Sequence, residues 1–201
     1  MKAAVNKPRL AFQGEHGAFS EDAAIELFGS EVISAIELQP CPTFESLFSS
    51  INAGHADYIL LPVENSLIGS IKPAVDLLEA SSLVEVGEVA IPIEHHLIGC
   101  PGTVFAEIET VASHPAALAQ CRKFFATHPQ LRPVEADDTA GSVARIIKRG
   151  NRKHAAIAGR RAAKIYGGFI VRNNIEDRPD NHTRFLLLAL ESKQSRCTTK
   201  L

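Results

Sequence analysis

The sequence predicts an α/β protein with largely parallel sheets. Apolar runs of strand length alternate along the chain with longer, capped, amphipathic stretches of helix length. Gly, Ser, Thr and Asn gather where a strand-like run gives way to a helical one. With 201 residues, 45% of them hydrophobic and 22% charged, the chain can bury a core as one domain or as two small lobes.

Arg9–Gln13 reads as the first strand and 14–18 as a tight loop. Ser20 caps a helix whose first turn holds Glu21 and Asp22, where negative charge suits the helix dipole. Ala23, Ala24, Leu27 and Phe28 form its buried stripe, and Gly29 ends it. Thr43 caps a second helix, closed by Gly54. Asp57–Leu61 is the next strand; it stops at Pro62 and leads into a Glu64-Asn65-Ser66 loop and a helix over 70–80. Alternation at Val84, Val86, Val89, Ile91 and Ile93 marks an extended segment that carries the chain into a second lobe. There the reading is a strand at 110–112, a helix capped by Ser113, a helix starting near Thr139, a strand at His154–Ala158, a helix ending at Gly167 and an extended run at Phe169–Arg172. The last strand, 183–190, is apolar on both faces, as a central strand is, and returns to the first lobe. The tail, 192–201, reads as flexible.

Several function classes are disfavoured. Net charge is −2 without a basic stripe, which argues against nucleic acid as partner. The start lacks the apolar core of a signal peptide and no apolar run is long enough to span a bilayer, so a cytoplasmic protein without membrane association is expected. Cys41, Cys100, Cys121 and Cys197 show no CxxC spacing and read as reduced thiols. His95 and His96 are adjacent in a strand and point to opposite faces, so no metal is expected. Gly14–Gly17 fits neither a P-loop nor GxGxxG, no GxSxG elbow is present, and no cofactor is expected.

Four strand-to-helix junctions share one property: Gly14–Ser20, Asn65–Ser70, Ser113–His114 and Asp138–Thr139 each put small polar residues where a helix leaves unpaired N–H groups. This is the pattern of a site for a small anion, with one or two carboxylates, and the resemblance given below implies a small dicarboxylate; well-capped helices alone would produce the pattern too.

The segment Asn181-His182-Thr183-Arg184-Phe185, followed by LLLAL, closes a series of strings in fixed order: FQGEHGAFSEDAA (12–24), LPVENSLIGSI (61–71), ASHPAALAQC (112–121) and ADDTAGSVA (136–144). Together they resemble the catalytic domain of the prephenate dehydratase and arogenate dehydratase family over about residues 9–190. The resemblance implies two α/β lobes with a cleft between them, like a type II periplasmic binding protein. The first lobe would be 9–86 plus 176–191 and the second 87–175. It further implies a carbon–oxygen lyase of phenylalanine biosynthesis that converts prephenate to phenylpyruvate without a cofactor, as a homodimer. Thr183 is the position that the family ties to catalysis. Arg184 and Glu64 are added as catalytic candidates, and Gly17, Ala18, Asn65, Ser66, Ser113, His114, Thr139, Asn181 and Phe185 as substrate contacts. Strand alternation puts Thr183 and Phe185 on one face, with Phe185 as a wall of the ring site, and turns His182 and Arg184 away. Most such proteins continue into a regulatory ACT domain. This sequence stops at Leu201, so no ACT domain and no allosteric inhibition by phenylalanine are expected. Arogenate is the alternative substrate, with Glu64 or Glu15 as partner of its amine; the excess of donors favours prephenate. A non-catalytic anion-binding protein, or hydrolysis of small esters or lactones, are the readings from other classes.

Overall fold

A computed structural model of the chain describes residues 7–191. The tail expected to be flexible, and Cys197 with it, lie outside the described residues. In chain order the elements are β1 (Arg9–Gln13), α1 (Phe19–Ile33), β2 (Glu37–Cys41), α2 (Phe44–Asn52), β3 (Tyr58–Asn65), β4 (Gly69–Ser70), α3 (Lys72–Glu79), β5 (Leu83–Pro92), β6 (His96–Gly99), β7 (Thr110–Ser113), α4 (Pro115–Ala119), α5 (Arg122–Thr127), β8 (Arg132–Glu135), α6 (Ala140–Arg149), β9 (His154–Ala158), α7 (Arg160–Tyr166), β10 (Phe169–Arg172) and β11 (His182–Leu190). None of the described helices is long and apolar enough to cross a membrane.

The described chain divides into two compact units, one of 7–13, Ser20–Ile91 and 182–191, the other of Gly14–Phe19 and Pro92–Asn181. The crossovers between the units fall at 91/92 and 181/182, and β5 stays in the first sheet almost to its end. The 14–19 loop, expected in the first lobe, belongs to the second unit.

In the first unit the strand order is β2-β1-β3-β11-β5, with β4 added to β3. β1 runs parallel to β2 and β3, whereas β11 is antiparallel to β3. Ala11, Ile59, Leu61, Leu186 and Leu188 turn one face of this sheet onto Leu47, Phe48 and Ile51 of α2 and Ala74 of α3. Leu60, Phe185 and Leu187, of opposite parity, are buried too, so β3 and β11 are covered on both faces. Thr43 caps α2 through a capping box: Thr43 Oγ1 accepts from Ser46 N at 3.2 Å and Ser46 Oγ from Thr43 N at 3.1 Å. Gly29 does interrupt α1, with φ 77° and ψ 156°, but helical turns resume to Ile33. Pro62 does not end β3, as expected, but lies inside it. The β3–β11 ladder shifts between Phe185↔Pro62 and Arg184↔Glu64, and a bulge is a place that tolerates a residue without an N–H.

In the second unit the order is β10-β6-β9-β7-β8. β7 is parallel to β8 and β9, but β6 is antiparallel to β9 and β10 to β6. Both sheets are thus mixed rather than largely parallel. Leu97, Val111, Leu131, Ala155 and Ile157 form the core on one face.

The 14–19 loop sits on the start of α7. Gly17 has φ +86°, and a Cβ there would lie 2.8 Å from Ala162 Cα. Phe19 reaches the Cα of Gly159 closely enough that a Cβ there would meet its ring at 3.0 Å. Gly54 also has positive φ, +70°, but open space around it. Gly54→Ala is therefore expected to lose about 1 kcal/mol of stability. Gly17→Ala should lose clearly more, because the backbone of Ala162 cannot yield. Thermal melting of both variants beside the parent checks this; equal losses would refute the close approach at Gly17.

Candidate active site

In the first unit the ends of β3 and β11 bring four of the singled-out residues together. Thr183 pairs with Asn65 and Arg184 with Glu64 across the ladder. Asn65 (4% exposed) and Thr183 (7%) are buried polar side chains. Asn65 Nδ2 donates to Thr183 Oγ1 at 2.9 Å and to His182 O at 3.1 Å. Asn65 Oδ1 accepts from Leu67 N at 3.0 Å and Ile68 N at 3.3 Å. Two backbone donors on one side and a backbone carbonyl on the other fix which way the amide faces. Thr183 Oγ1 is thereby the acceptor of this bond, and its own proton points elsewhere. Ser66 closes the junction: Ser66 N donates to His182 O and His182 N donates to Ser66 Oγ, both at 2.9 Å.

Arg184 and Glu64 occupy the opposite face. The alternation expected for β11 holds, with Thr183 and Phe185 buried and His182 and Arg184 exposed. Arg184 Nε lies 3.4 Å from Glu64 Oε2 and Nη1 3.6 Å from Glu88 Oε2, all on exposed side chains. The structure does not bring this charge cluster to the Thr183 hydroxyl. Phe185, 2% exposed, is a core residue rather than a wall of an open site.

In the second unit several expected contacts have structural partners. Ser113 is not a helix cap: it ends β7, and its buried Oγ donates to Ile157 O at 2.7 Å. The cap of α4 is His114, whose Nδ1 accepts from Ala116 N at 3.2 Å. Thr139 makes no capping bond with its side chain. Asp138 does so instead, its carboxylate accepting from Gly141 N and its carbonyl from Ser142 Oγ at 2.6 Å. Gly17 and Ala18 are buried in the loop on α7, where Ala18 N donates to Glu15 O at 3.0 Å. Asn181, 1% exposed, donates its Nδ2 to Gln120 Oε1 at 2.9 Å.

Sequence reasoning missed two residues of this second network. Gln120 Oε1 also meets His95 Nε2 at 2.7 Å. Gln120 stands inside the ASHPAALAQC string, and its polarity on a mostly apolar helix was the available signal. Burial lowers the pKa of His95 below that of a free imidazole, partly offset by the bond to Gln120. His96 Nδ1 accepts from Asn174 N at 3.1 Å, and burial, with Arg160 nearby, lowers the pKa of that ring as well. No group of three or more metal-binding side chains is found among the described residues. The thiols of Cys41 and Cys121 are pushed up by burial, as inert thiols are.

The two histidines set an acid dependence. The unfolded chain takes up protons on both rings below about pH 6.5. The fold keeps them neutral to lower pH, so the unfolded state binds more protons and stability falls as pH drops below that value. His95→Gln with His96→Asn, which keep the Nε2 donor and the Nδ1 acceptor, should flatten the loss by up to about 1.4 kcal/mol per pH unit for each ring. Urea unfolding at pH 5.5 and 7.5 measures it; an unchanged slope would clear both rings of the effect.

Comparison with known proteins places this geometry. The profile of the family described as prephenate dehydratase matches residues 10–193. Arogenate dehydratase/prephenate dehydratase 2, chloroplastic, of Arabidopsis thaliana is 40% identical over 186 residues, 92% of this chain and 47% of that protein. The chain spans about half the length of the curated relatives it matches. Among solved structures, a protein described as GqqA, a novel type of quorum quenching acylase, is 34% identical with a TM-score of 0.78, covering 90% of this chain and 63% of that one. The prephenate dehydratase of Arthrobacter aurescens, solved with L-Phe, is 28% identical with a TM-score of 0.81 over 90% and 60%. An ABC-transporter periplasmic substrate-binding protein of Coxiella burnetii, 12% identical with a TM-score of 0.52 over 95% and 88%, shares the fold alone. With the profile covering nearly every described residue and the Thr183-Arg184-Phe185 string in place at the β3–β11 junction, the chain belongs to the prephenate dehydratase family.

Proposed function

We propose that this chain catalyses the decarboxylating dehydration of prephenate to phenylpyruvate, with Thr183 Oγ1 as hydrogen-bond donor to the departing hydroxyl. The observation that carries the reading is the bond from Asn65 Nδ2 to Thr183 Oγ1 at 2.9 Å. An amide donating into the threonine oxygen turns the threonine proton outward and polarises it. Departure of carbon dioxide and water makes the ring aromatic, which supplies the driving force. What the protein adds is placement of the leaving hydroxyl against a donor, together with a dry surrounding.

The other expected site residues divide. Asn65 orients Thr183, and Ser66 holds the strand ends together. Gly17, Ala18, His114 and Thr139 stand as proposed substrate contacts, whereas the hydroxyl of Ser113 and the amide of Asn181 already serve protein partners. Arg184 and Glu64 are proposed as supports of the ladder, not as groups at the reacting atoms. Assembly as a two-fold dimer, the commonest arrangement of homo-oligomers, is checked by light scattering, with a monomer as the contrary result. A cytoplasmic location is proposed; the Arabidopsis relative is described as chloroplastic, and cell fractionation decides.

Prephenate is favoured over arogenate. Arogenate's ammonium requires an acceptor, and Glu64, the acid best placed along the chain to provide one, is turned to Arg184 on the face away from Thr183. The acylase reading draws less support: the Ser113 hydroxyl donates to the backbone carbonyl of Ile157, and the Ser66 hydroxyl accepts from His182 N at the β3–β11 junction.

Thr183→Ala should lower turnover of prephenate by at least about 10²-fold while the fold persists, and Thr183→Ser should retain more activity than the alanine variant. Phenylpyruvate formation followed by ultraviolet absorbance reads this, and near-normal turnover in a folded alanine variant removes Thr183 from the chemistry. The same assay run with arogenate, and with an acylated amine as a third arm, compares catalytic efficiencies. A preference of about tenfold or more for either alternative overturns the substrate assignment.

A further inference from the structure

We propose that Gly69 is a positioning residue for Thr183, acting through the side-chain amide of Asn65; the proposal rests on the dehydratase reading above. All the groups involved belong to the first unit. β3 and β4 form an antiparallel hairpin in which Glu64 pairs with Ser70 and Asn65 with Gly69. Ser66, Leu67 and Ile68 make the loop between them. A hairpin loop of this length commonly closes on a residue in the left-handed conformation, which glycine adopts most easily. Gly69 is that residue, with φ +76°. A Cβ there would meet nothing within 4 Å, so a side chain at this position acts through the backbone conformation and not through crowding.

The loop decides which end of the Asn65 amide faces Thr183. Leu67 N and Ile68 N converge on Asn65 Oδ1 at 3.0 Å and 3.3 Å. Nδ2 is thereby left for Thr183 Oγ1 at 2.9 Å and for His182 O at 3.1 Å. Turning the amide over would set its NH2 group against two backbone N–H groups and its oxygen against the His182 carbonyl. It would also present an oxygen to Thr183, whose hydroxyl would then donate to Asn65 and have no proton for the leaving hydroxyl. What prevents this is the place of the two loop N–H groups, and that place depends on the left-handed turn at Gly69. β4 adds little hold of its own, since it consists of Gly69 and Ser70 alone. A residue 69 driven to negative φ would splay the loop and withdraw both N–H groups from Oδ1. Gly69 does not need to meet the substrate for this.

Three substitutions separate conformation from size. Asparagine tolerates the left-handed region, alanine does so less, and β-branched valine least, whereas by size alanine is the mildest of the three. With the full chain and prephenate, Gly69→Asn is expected to keep kcat within about threefold of the parent and Gly69→Ala to fall below Gly69→Asn. Gly69→Val should lose at least about tenfold in kcat while KM moves less than about threefold. Gly54→Val, which places the same strain at φ +70° in equally open space, should leave kcat within about twofold. In a Thr183→Ala background Gly69→Val should cost less than about twofold more, because a residue acting through Thr183 has nothing left to act on. Alanine outperforming asparagine, equal losses in both backgrounds, a loss confined to KM, or a matching kcat loss in Gly54→Val each overturn the proposal. If Gly69→Val does not fold, the order of the asparagine and alanine variants decides. Amide exchange gives a readout that does not depend on turnover. Gly69→Val should speed exchange at Leu67 and Ile68 by at least about tenfold, leaving the core strand β1 unchanged. If the parent chain converts neither prephenate nor arogenate, the functional reading fails by itself. Unchanged exchange at those two amides rejects the hold of Gly69 on Asn65.

Discussion

The hydrogen bond from the Asn65 amide into the Thr183 hydroxyl is the constraint on which the rest of the first unit's chemistry depends. It joins two residues 118 positions apart in sequence, and it exists because of the register of two strands. The ladder runs Leu187↔Leu60, Leu186↔Leu61, Phe185↔Pro62, then skips a residue of β3 to Arg184↔Glu64 and Thr183↔Asn65. Without the skip, Arg184 would face Val63 and Thr183 would face Glu64. A carboxylate in that place would accept the threonine proton for itself. An amide nitrogen donates instead and leaves the proton for another acceptor. The irregularity beside Pro62 thus chooses the neighbour that keeps Thr183 a donor.

The same skip sorts the charges. Glu64 and Arg184 emerge together on the exposed side, where Glu88 joins them. Exposed ion pairs of this kind add about 0–1 kcal/mol each, so the cluster is a minor support of the sheet compared with the apolar packing of Leu186 and Leu188 beneath it. The buried side is left without a formal charge at Asn65 and Thr183. In the second unit the histidines follow the same rule, since burial makes the neutral ring the stable form at His95 and His96.

Much of this was legible in the chain itself. Strands with strong apolar runs, caps such as Thr43 and stops such as Gly167 were placed by local chemistry, and the Thr183/Arg184 alternation followed from the two-residue period of a strand. The misses have physical reasons. β2 and β8 are half-exposed strands containing Pro40 and Pro133, with little apolar signal. Pro62 ends a strand in most contexts, and a bulge with a distant partner cannot be read from one strand. Ser113 looked like a cap because serine before a proline-started helix usually is one, but the hydroxyl found Ile157 O in the neighbouring strand. Gln120, His95 and Asn181 are 25 and 61 positions apart, and only the fold brings them to one oxygen.

The choice of a hydroxyl as donor fits the reaction proposed. Aromatisation makes the elimination downhill, so the protein has no need of a strong acid; it needs a proton held at the right place and in every molecule. A threonine hydroxyl does not titrate in the physiological range, whereas a histidine near its ordinary pKa would be in the donor form in only part of the population. A weak donor compensates for its weakness by position, and position is what the surrounding bonds control. Asn65 is itself held by Leu67 N, Ile68 N and His182 O, and Ser66 pins His182 from the other side. Each of these is an ordinary bond of modest net strength, about 1 kcal/mol when taken singly. Their joint effect is geometric: they leave the oxygen of Thr183 one way to accept and its proton few directions in which to donate.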